Sequence, residues 1–290
     1  MRIAVLADIH GNLPALEAVI ADMRQFEPEQ VIVAGDSINW GPFSAEVLEH
    51  ILASRWPVIR GNHEFYMLYY QTPFAPEHWH NFTTPDWLNR HIPREDRLQI
   101  GGLPDELRLC YPGASFIRVV HGSPGNHWLG IYPTQTSDDE VRDLLRNVQE
   151  TTVIAAHTHL QMDRTVDRWH IINPGSVGLP LDGNPAAGYA ILESDGDGWK
   201  ATLRRVDYDL DALMAACDRL DYVKTLGPYG RLMQTEFLRA RPLVYSFNLW
   251  RHKYHPDEVD TLELVEEFMS QPDAILEFYK PDYCVNLEKL

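Results

Sequence analysis

Cysteine is scarce: Cys110, Cys217 and Cys284 are the only three in 290 residues, odd in number and far apart. No Cys-x-x-Cys occurs, so neither a disulfide framework nor a thiolate zinc site is expected, and reduced thiols are. Basic residues are also short, 25 Lys and Arg against 42 Asp and Glu, for a formal charge of −17. With no basic stretch to concentrate positive charge, a nucleic acid polymer is not expected as the main partner. No apolar run is long enough to span a bilayer, and Met1 to Ala7 lacks a signal-peptide cleavage site. The expectation is a cytoplasmic protein with no membrane partner. What is present, 44% hydrophobic and 23% charged residues, is the composition of a chain that buries a large core.

Short apolar runs rich in β-branched residues recur at Ile3 to Ala7, Val31 to Ala34, Val58 to Ile59, Phe116 to Val120 and Thr152 to Ala156. Such runs suit strands buried on both faces. Between the first three, Leu13, Leu16, Val19, Ile20 and Met23, then Val47, Leu48, Ile51 and Leu52, fall at helical spacing. Pro14 and Pro28 mark the ends of the first helix, giving the order β-α-β-α-β and an α/β class. Residues 64–113 are an aromatic insertion, either core packing or a lid. His170 to Ile172, Gly188 to Leu192 and Lys200 to Val206 read as antiparallel strands. From residue 208 the pattern is helical, with Leu210, Leu213, Met214 and Cys217 on one face and Val259, Leu262, Val265, Phe268 and Met269 on another. No internal repeat or low-complexity segment is visible.

Each of the five strongest strand patterns is followed at once by residues able to hold a metal: Asp8 and His10, Asp36, Asn62 with His63 and Glu64, His121, and His157 with His159. The carboxyl ends of strands in α/β sheets form the binding crevice, so these five ends are expected to converge. Residues i and i+2 of an extended segment share a side, which would aim Asp8 with His10, and His157 with His159, at one centre. The other His-x-His pair, His78 and His80, follows no strand and reads as insertion surface. Glu64 reads as helix-start charge outside the site. Carboxylate, amide and imidazole donors suit zinc, manganese or iron and not calcium. Seven donors exceed the needs of one ion, which implies two ions and a bridging group, with Asp36 the candidate bridge. Two divalent cations against two carboxylates leave about two positive charges, matched to a phosphate dianion.

Asp8-x-His10, Gly35-Asp36-(x4)-Gly41, Gly61-Asn62-His63-Glu64, His121 and Ala156-His157-Thr158-His159, in this order, resemble the calcineurin-like metallophosphoesterase superfamily. Trp40-Gly41-Pro42, His121-Gly122-Ser123 and Asn173 to Gly178 further resemble its small bacterial and archaeal phosphodiesterase-like members. The resemblance implies a four-layer α-β-β-α sandwich with two mixed sheets over residues 1–207. It does not cover residues 208–290, which their apolar spacing marks as a helical C-terminal extension that could cover the site or mediate homo-oligomer formation. It implies that Asp8, His10, Asp36 and His159 hold the first metal and Asp36, Asn62, His121 and His157 the second. A hydroxide bridging the ions with Asp36 would be the nucleophile, and His63 would assist the leaving oxygen. Ser123, Asn126 and His127, on the loop after His121, are candidate substrate contacts.

The reaction so implied is hydrolysis of a small-molecule phosphate ester, first a nucleotide-type phosphodiester or dinucleoside polyphosphate. A phosphomonoesterase or protein phosphatase comes second, because protein phosphatases of this superfamily carry an acidic residue and an arginine where this chain has Asn39 and Trp40. That exchange also removes the carboxylate that would orient His63. A non-catalytic scaffold of the same fold ranks last, since no ligand position is lost.

Overall fold

Along the first strand, β1 (Arg2–Leu6), Ile3 and Val5 face one way and Ala4 and Leu6 the other, and all four are fully buried. A strand with two buried faces needs a layer on each side. The computed structural model describes residues 1–76, 79, 83–194 and 196–272; His78, His80, Phe82 and Cys284 lie outside them. Within them β1 is followed by β2 (Gln30–Val33), β3 (Leu107–Leu109), β4 (Ile117–Val120) and β5 (Thr152–Ala155). The remaining strands are β6 (Met162–Val166), β7 (Trp169–Asn173), β8 (Ala187–Ser194) and β9 (Trp199–Val206). One sheet has the order β2-β1-β8-β9 and the other β3-β4-β5-β7-β6. Both are mixed: β1–β2, β4–β5 and β5–β7 run parallel and the remaining pairs antiparallel.

Ile3, Val5 and Ile32 of the first sheet meet Ile117, Val119, Ile154 and Ile172 of the second in the central core. Each such side chain, fully buried, contributes about 1.5–3 kcal/mol. Ala4, Leu6, Val31 and Val33 instead face α1 (Leu13–Met23) and α2 (Ser44–Ser54), through Leu16, Val19, Met23, Val47 and Ile51. The first helix starts as the sequence predicts, with Pro14 in its first turn and the Asn12 side chain accepting the Ala15 N–H. The insertion forms α3 (Asn62–Tyr69), α4 (Thr84–His91) and α5 (Arg94–Gly102), then β3. The outer face of the second sheet is covered by α6 (Asp138–Leu145), where Val141 and Leu145 meet Val120, Val153 and Ile171. The result is the α-β-β-α order of layers.

After β9 come α7 (Leu210–Arg219), α8 (Tyr222–Leu226), α9 (Pro228–Arg239), α10 (Leu243–Tyr254) and α11 (Leu262–Met269). Leu213, Cys217, Leu226, Met233 and Phe237 share a core with Met67, Trp87, Leu88 and Ile100 of the insertion. Core packing is therefore one role of the insertion.

Three expectations are corrected. Val58 forms a lone parallel bridge to Val33 rather than a strand, because Pro57 brings no N–H and the chain turns into α3 at Asn62. β7 pairs antiparallel with β6 but parallel with β5, because β6 takes the sheet edge and the hairpin returns the chain beside β5. Val259 is 77% exposed and lies before α11, whose start is set by Thr261 accepting the Leu264 N–H; Leu264, Val265 and Phe268 are its buried face.

The Asn173–Gly178 turn is locked against the end of β1. Val177 and Gly178 donate to the carbonyls of Ala7 and Asp8, both at 3.0 Å, and a Cβ at Gly178 would run into the Ile9 carbonyl. Gly178→Ala is expected to lower stability by about 1–3 kcal/mol, the usual cost of overpacking. A urea midpoint unchanged from wild type would contradict this close approach.

Candidate metal centre

Asp8 lies just beyond β1, Asp36 beyond β2, His121 immediately after β4 and His157 beyond β5, while Asn62 opens α3. Four of the segments converge at the carboxyl ends of their strands, as the sequence predicts, and the fifth, carrying Asn62, arrives from the Val58 bridge rather than from a strand. The reason given for the i, i+2 pairs does not hold. Asp8, His10, Asp36, His157 and His159 all have left-handed backbone, with φ of 52°, 48°, 52°, 69° and 59°. Tight coils rather than extended segments aim their side chains. Each such residue costs of order 1 kcal/mol, and the coils persist because cross-links hold them: Asp8 N–H to the Gly35 carbonyl (3.1 Å) and His10 N–H to that of Asp36 (3.0 Å).

Donor atoms of Asp8, His10, Asp36 and His159 lie within 4.8 Å of one another, as do those of Asp36, His121 and His157. Asp36 belongs to both groups. The amide of Asn62 joins the second, its Oδ1 being 3.0 Å from both His121 Nε2 and His157 Nδ1. In the first group His10 Nε2 and His159 Nε2 face each other at 3.2 Å, and His159 Nε2 is 3.6 Å from Asp8 Oδ1.

Backbone carbonyls set the orientation of three rings. His121 Nδ1 donates to Ala34 (2.9 Å), His159 Nδ1 to Leu179, and His157 Nε2 to Trp128 (3.0 Å). Each bond turns the other ring nitrogen into the cluster, the arrangement that tunes a metal-ligating histidine.

The electrostatics call for cations. Burial pushes the Asp8 carboxyl well above the usual carboxylate range. Burial acts on Asp36 the same way, but His121 and His63 beside it hold its carboxyl well below that range. Burial depresses His157 to about 3 and His159 to about 4, and lowers His10 well below its ordinary value. Burial also pulls on His121, yet Asp36 and Asp8 outweigh it and raise the ring to about 9. Asp8 Oδ1 and Asp36 Oδ2 are buried without a hydrogen-bond partner. Orphaned carboxylate oxygens are costly in a protein interior. Together with ring nitrogens turned to the same points, they fit divalent transition-metal ions.

Two residues beside the cluster have roles that the sequence reading did not assign. Glu64, taken as helix-start charge, is buried. Its carboxylate accepts from the N–H groups of Gly61 (2.7 Å), Ser37 (2.8 Å) and Asp36 (3.1 Å), tying the loop after β2 to the start of α3. Burial, then Asp36, raises its carboxyl to about 7. The available signal was its place as third residue of α3, from which a glutamate reaches back to the cap N–H. Asn39 stands where a carboxylate was missed: its Nδ2 lies 2.8 Å from His63 Nδ1, and its Oδ1 accepts the Trp40 N–H at 2.8 Å. His63 is thus oriented by an uncharged amide. Its Nε2 is 3.9 Å from Asp36 Oδ2, and its backbone N–H donates to Asp36 Oδ1 (2.8 Å).

The candidate substrate contacts divide. Asn126 spends its side-chain oxygen inside its own loop, on the N–H groups of Trp128 (2.9 Å) and Leu129 (3.1 Å). Ser123 is buried, with its hydroxyl unpartnered. The His127 ring packs on Phe65 at 4.7 Å, with Nε2 3.8 Å from Asp105. The turn after β7 is supporting structure: Asn173 Nδ2 donates to the Ala156 carbonyl and the Thr158 hydroxyl, and the Ser176 hydroxyl to the Asp8 carbonyl.

The profile of the calcineurin-like phosphoesterase superfamily domain matches residues 1–197. The chain belongs to that superfamily. Among its relatives are an uncharacterized protein of Methanocaldococcus jannaschii, 27% identical over 222 residues (72% of this chain, 88% of the relative), and the phosphodiesterase YfcE of Escherichia coli, 26% identical over 205 residues (67% and 89%). A metallophosphoesterase from Sphaerobacter thermophilus superposes with a TM-score of 0.64 at 25% identity, covering 83% of this chain and all of that one. A hypothetical protein from Pyrococcus horikoshii shares the fold, with a TM-score of 0.68, 24% identity and 80% and 97% coverage. The superfamily and its phosphodiesterase relative support a hydrolase with a buried Asp/His metal cluster. The profile match ends inside the gap before β9, so α7–α11 lie beyond it.

Proposed function

We propose that this superfamily member is a dinuclear metal-dependent phosphodiesterase acting on small molecules of the nucleotide or dinucleoside polyphosphate kind. The observation that carries the reading is Asp36, buried and common to two donor groups, with one carboxylate oxygen lacking a hydrogen bond. Asp8, His10, Asp36 and His159 would hold one ion, and Asp36, Asn62, His121 and His157 the other, as manganese, iron or zinc. Bound there, two such ions lower the pKa of water and neutralise charge on phosphoryl oxygens.

The protein's own part centres on His63. Asn39 Oδ1 is taken by the Trp40 N–H, so Nδ2 is the atom turned to His63 Nδ1, which must accept. The proton of the neutral ring then sits on Nε2, the nitrogen facing the cluster, where it can be donated to a leaving oxygen. Burial lowers the pKa of this ring, and no carboxylate pairs with Nδ1 to restore charge. Trp40 supplies no cation either. A hydroxide held with the two ions would take one of the roughly two positive charges left by Asp8 and Asp36, and the remaining one matches a diester monoanion; a monoester dianion needs one more counter-charge, which Trp40 does not supply.

Among the described residues no helix is long and apolar enough to cross a membrane. Protein stripped by chelator and reloaded with manganese, iron or zinc is expected to bind about two ions per chain and to hydrolyse bis(p-nitrophenyl) phosphate. Its kcat/KM should exceed that for p-nitrophenyl phosphate by at least tenfold, about 1.4 kcal/mol of discrimination. Equal or better monoester turnover would reject the diester preference, and turnover insensitive to chelation would reject the metal site.

A further inference from the structure

Aromatic side chains form an arc around the cluster from His63 to His157. The Trp40 and Tyr66 rings lie 5.7 and 5.2 Å from that of His63. Tyr66 packs on Trp79, ring centres 4.3 Å apart, Trp79 in turn lies beside Trp128, and the Trp128 carbonyl holds His157. Trp128 rests on Phe65 and Trp79, ring centres 5.7 and 6.5 Å away, yet 38% of it is open to solvent. A large aromatic side chain left this exposed and still fixed in place is suited to bind a flat apolar partner. Its fixing is built in: the Asn126 side chain clamps the Trp128 and Leu129 N–H groups, and Ser123 and Asn126 exchange backbone hydrogen bonds at 2.9 Å. The ring is therefore ordered before any ligand arrives, which removes part of the cost of binding.

The arc has two ends with different chemistry. His63, beside His10 and Asp36, marks the side on which a leaving oxygen can receive a proton. Trp128 is tied to His157, which faces Asn62 and His121 in the other donor group. We infer that Trp128 is a specificity determinant that stacks on an aromatic ring, nucleobase or aryl, carried by the ester group that stays on phosphorus. The inference rests on the phosphodiesterase reading and assigns to this loop the choice among diesters. Asn126 is then a positioning residue that acts through Trp128, and a purely alkyl substituent gains nothing from the platform.

The test holds bond breaking constant by using p-nitrophenyl phosphodiesters whose second group is methyl, phenyl or a nucleoside. Wild type is expected to prefer the aromatic second groups over methyl in kcat/KM by about tenfold, within the range of base–aromatic stacking. Trp128→Leu, which keeps the backbone carbonyl on His157, should collapse that ratio toward one, chiefly through KM, and Trp128→Phe should restore most of it. Phenyl and nucleoside arms that respond alike assign the effect to the ring; a response to the nucleoside alone narrows the ligand to a nucleobase. A wild type with no aromatic preference, or a preference that survives in Trp128→Leu, overturns the inference while leaving the phosphodiesterase reading intact. Failure of wild type to cleave all three esters would instead count against that reading.

Discussion

Asp36→Asn is expected to cut phosphodiester turnover by about 10³-fold or more and to leave the protein unable to retain its full metal complement. The substitution is close to isosteric. The asparagine Oδ1 can still accept the His63 N–H that Asp36 Oδ1 accepts at 2.8 Å, so the start of α3 keeps its anchor. What is lost is the negative charge and the second oxygen, Oδ2, the atom that faces His121 Nε2 at 3.1 Å and His10 Nε2 at 3.7 Å. Stabilisation of phosphoryl charge by metal ions amounts to several kcal/mol. At about 1.4 kcal/mol per factor of ten, its loss gives the stated effect. Turnover by the phosphodiester assay and metal content by elemental analysis should fall together. If both stay at wild-type values in a folded variant, Asp36 is no bridge and the dinuclear reading fails.

Glu64→Gln should have the next largest effect, although Glu64 touches none of the donor atoms proposed for the metals. Its two carboxylate oxygens accept three backbone N–H groups, one from the residue after Asp36, one from Asp36 itself and one from the residue before Asn62. An amide offers one oxygen and an NH2 group, so at least one buried donor then confronts another donor. An unsatisfied buried group costs about 1–3 kcal/mol. The geometry it disturbs is that of Asp36 and Asn62, and loss of outer partners of a metal site typically lowers metal affinity about 10–100-fold. A metal titration monitored by calorimetry, with the urea midpoint measured alongside, separates the two effects. Unchanged affinity and midpoint would reduce Glu64 to the helix-start charge that its position suggests.

Much of the site was legible along the chain because strand ends in α/β sheets are places where function collects. The apolar runs before Asp8, Asp36, His121 and His157 are short, β-branched and buried on both faces, so their ends could be located without coordinates. The four-layer order came from the resemblance; which side chains serve which layer, with Ile3 and Val5 inward between the sheets and Ala4 and Leu6 outward under helices, is read in the fold. Less legible was the conformation that aims the ligands. Five left-handed residues other than glycine are improbable on local preference alone, and only the hydrogen bonds between loops make them stable. Glu64 was misread for a related reason: its position in α3 is local information, but the Asp36 and Ser37 amides it meets come from a loop about 28 residues earlier.

Residue types and their order were enough to single out the candidate donors, the α/β class and the superfamily, because each depends on periodicity and on chemistry that a side chain carries wherever it lies. Folding alone decided which ring nitrogen faces the cluster, that an amide rather than a carboxylate steadies His63, and that Trp128 lies open beside His157. Those features depend on carbonyls, amides and rings brought together from positions far apart in the chain. No local pattern encodes such distances.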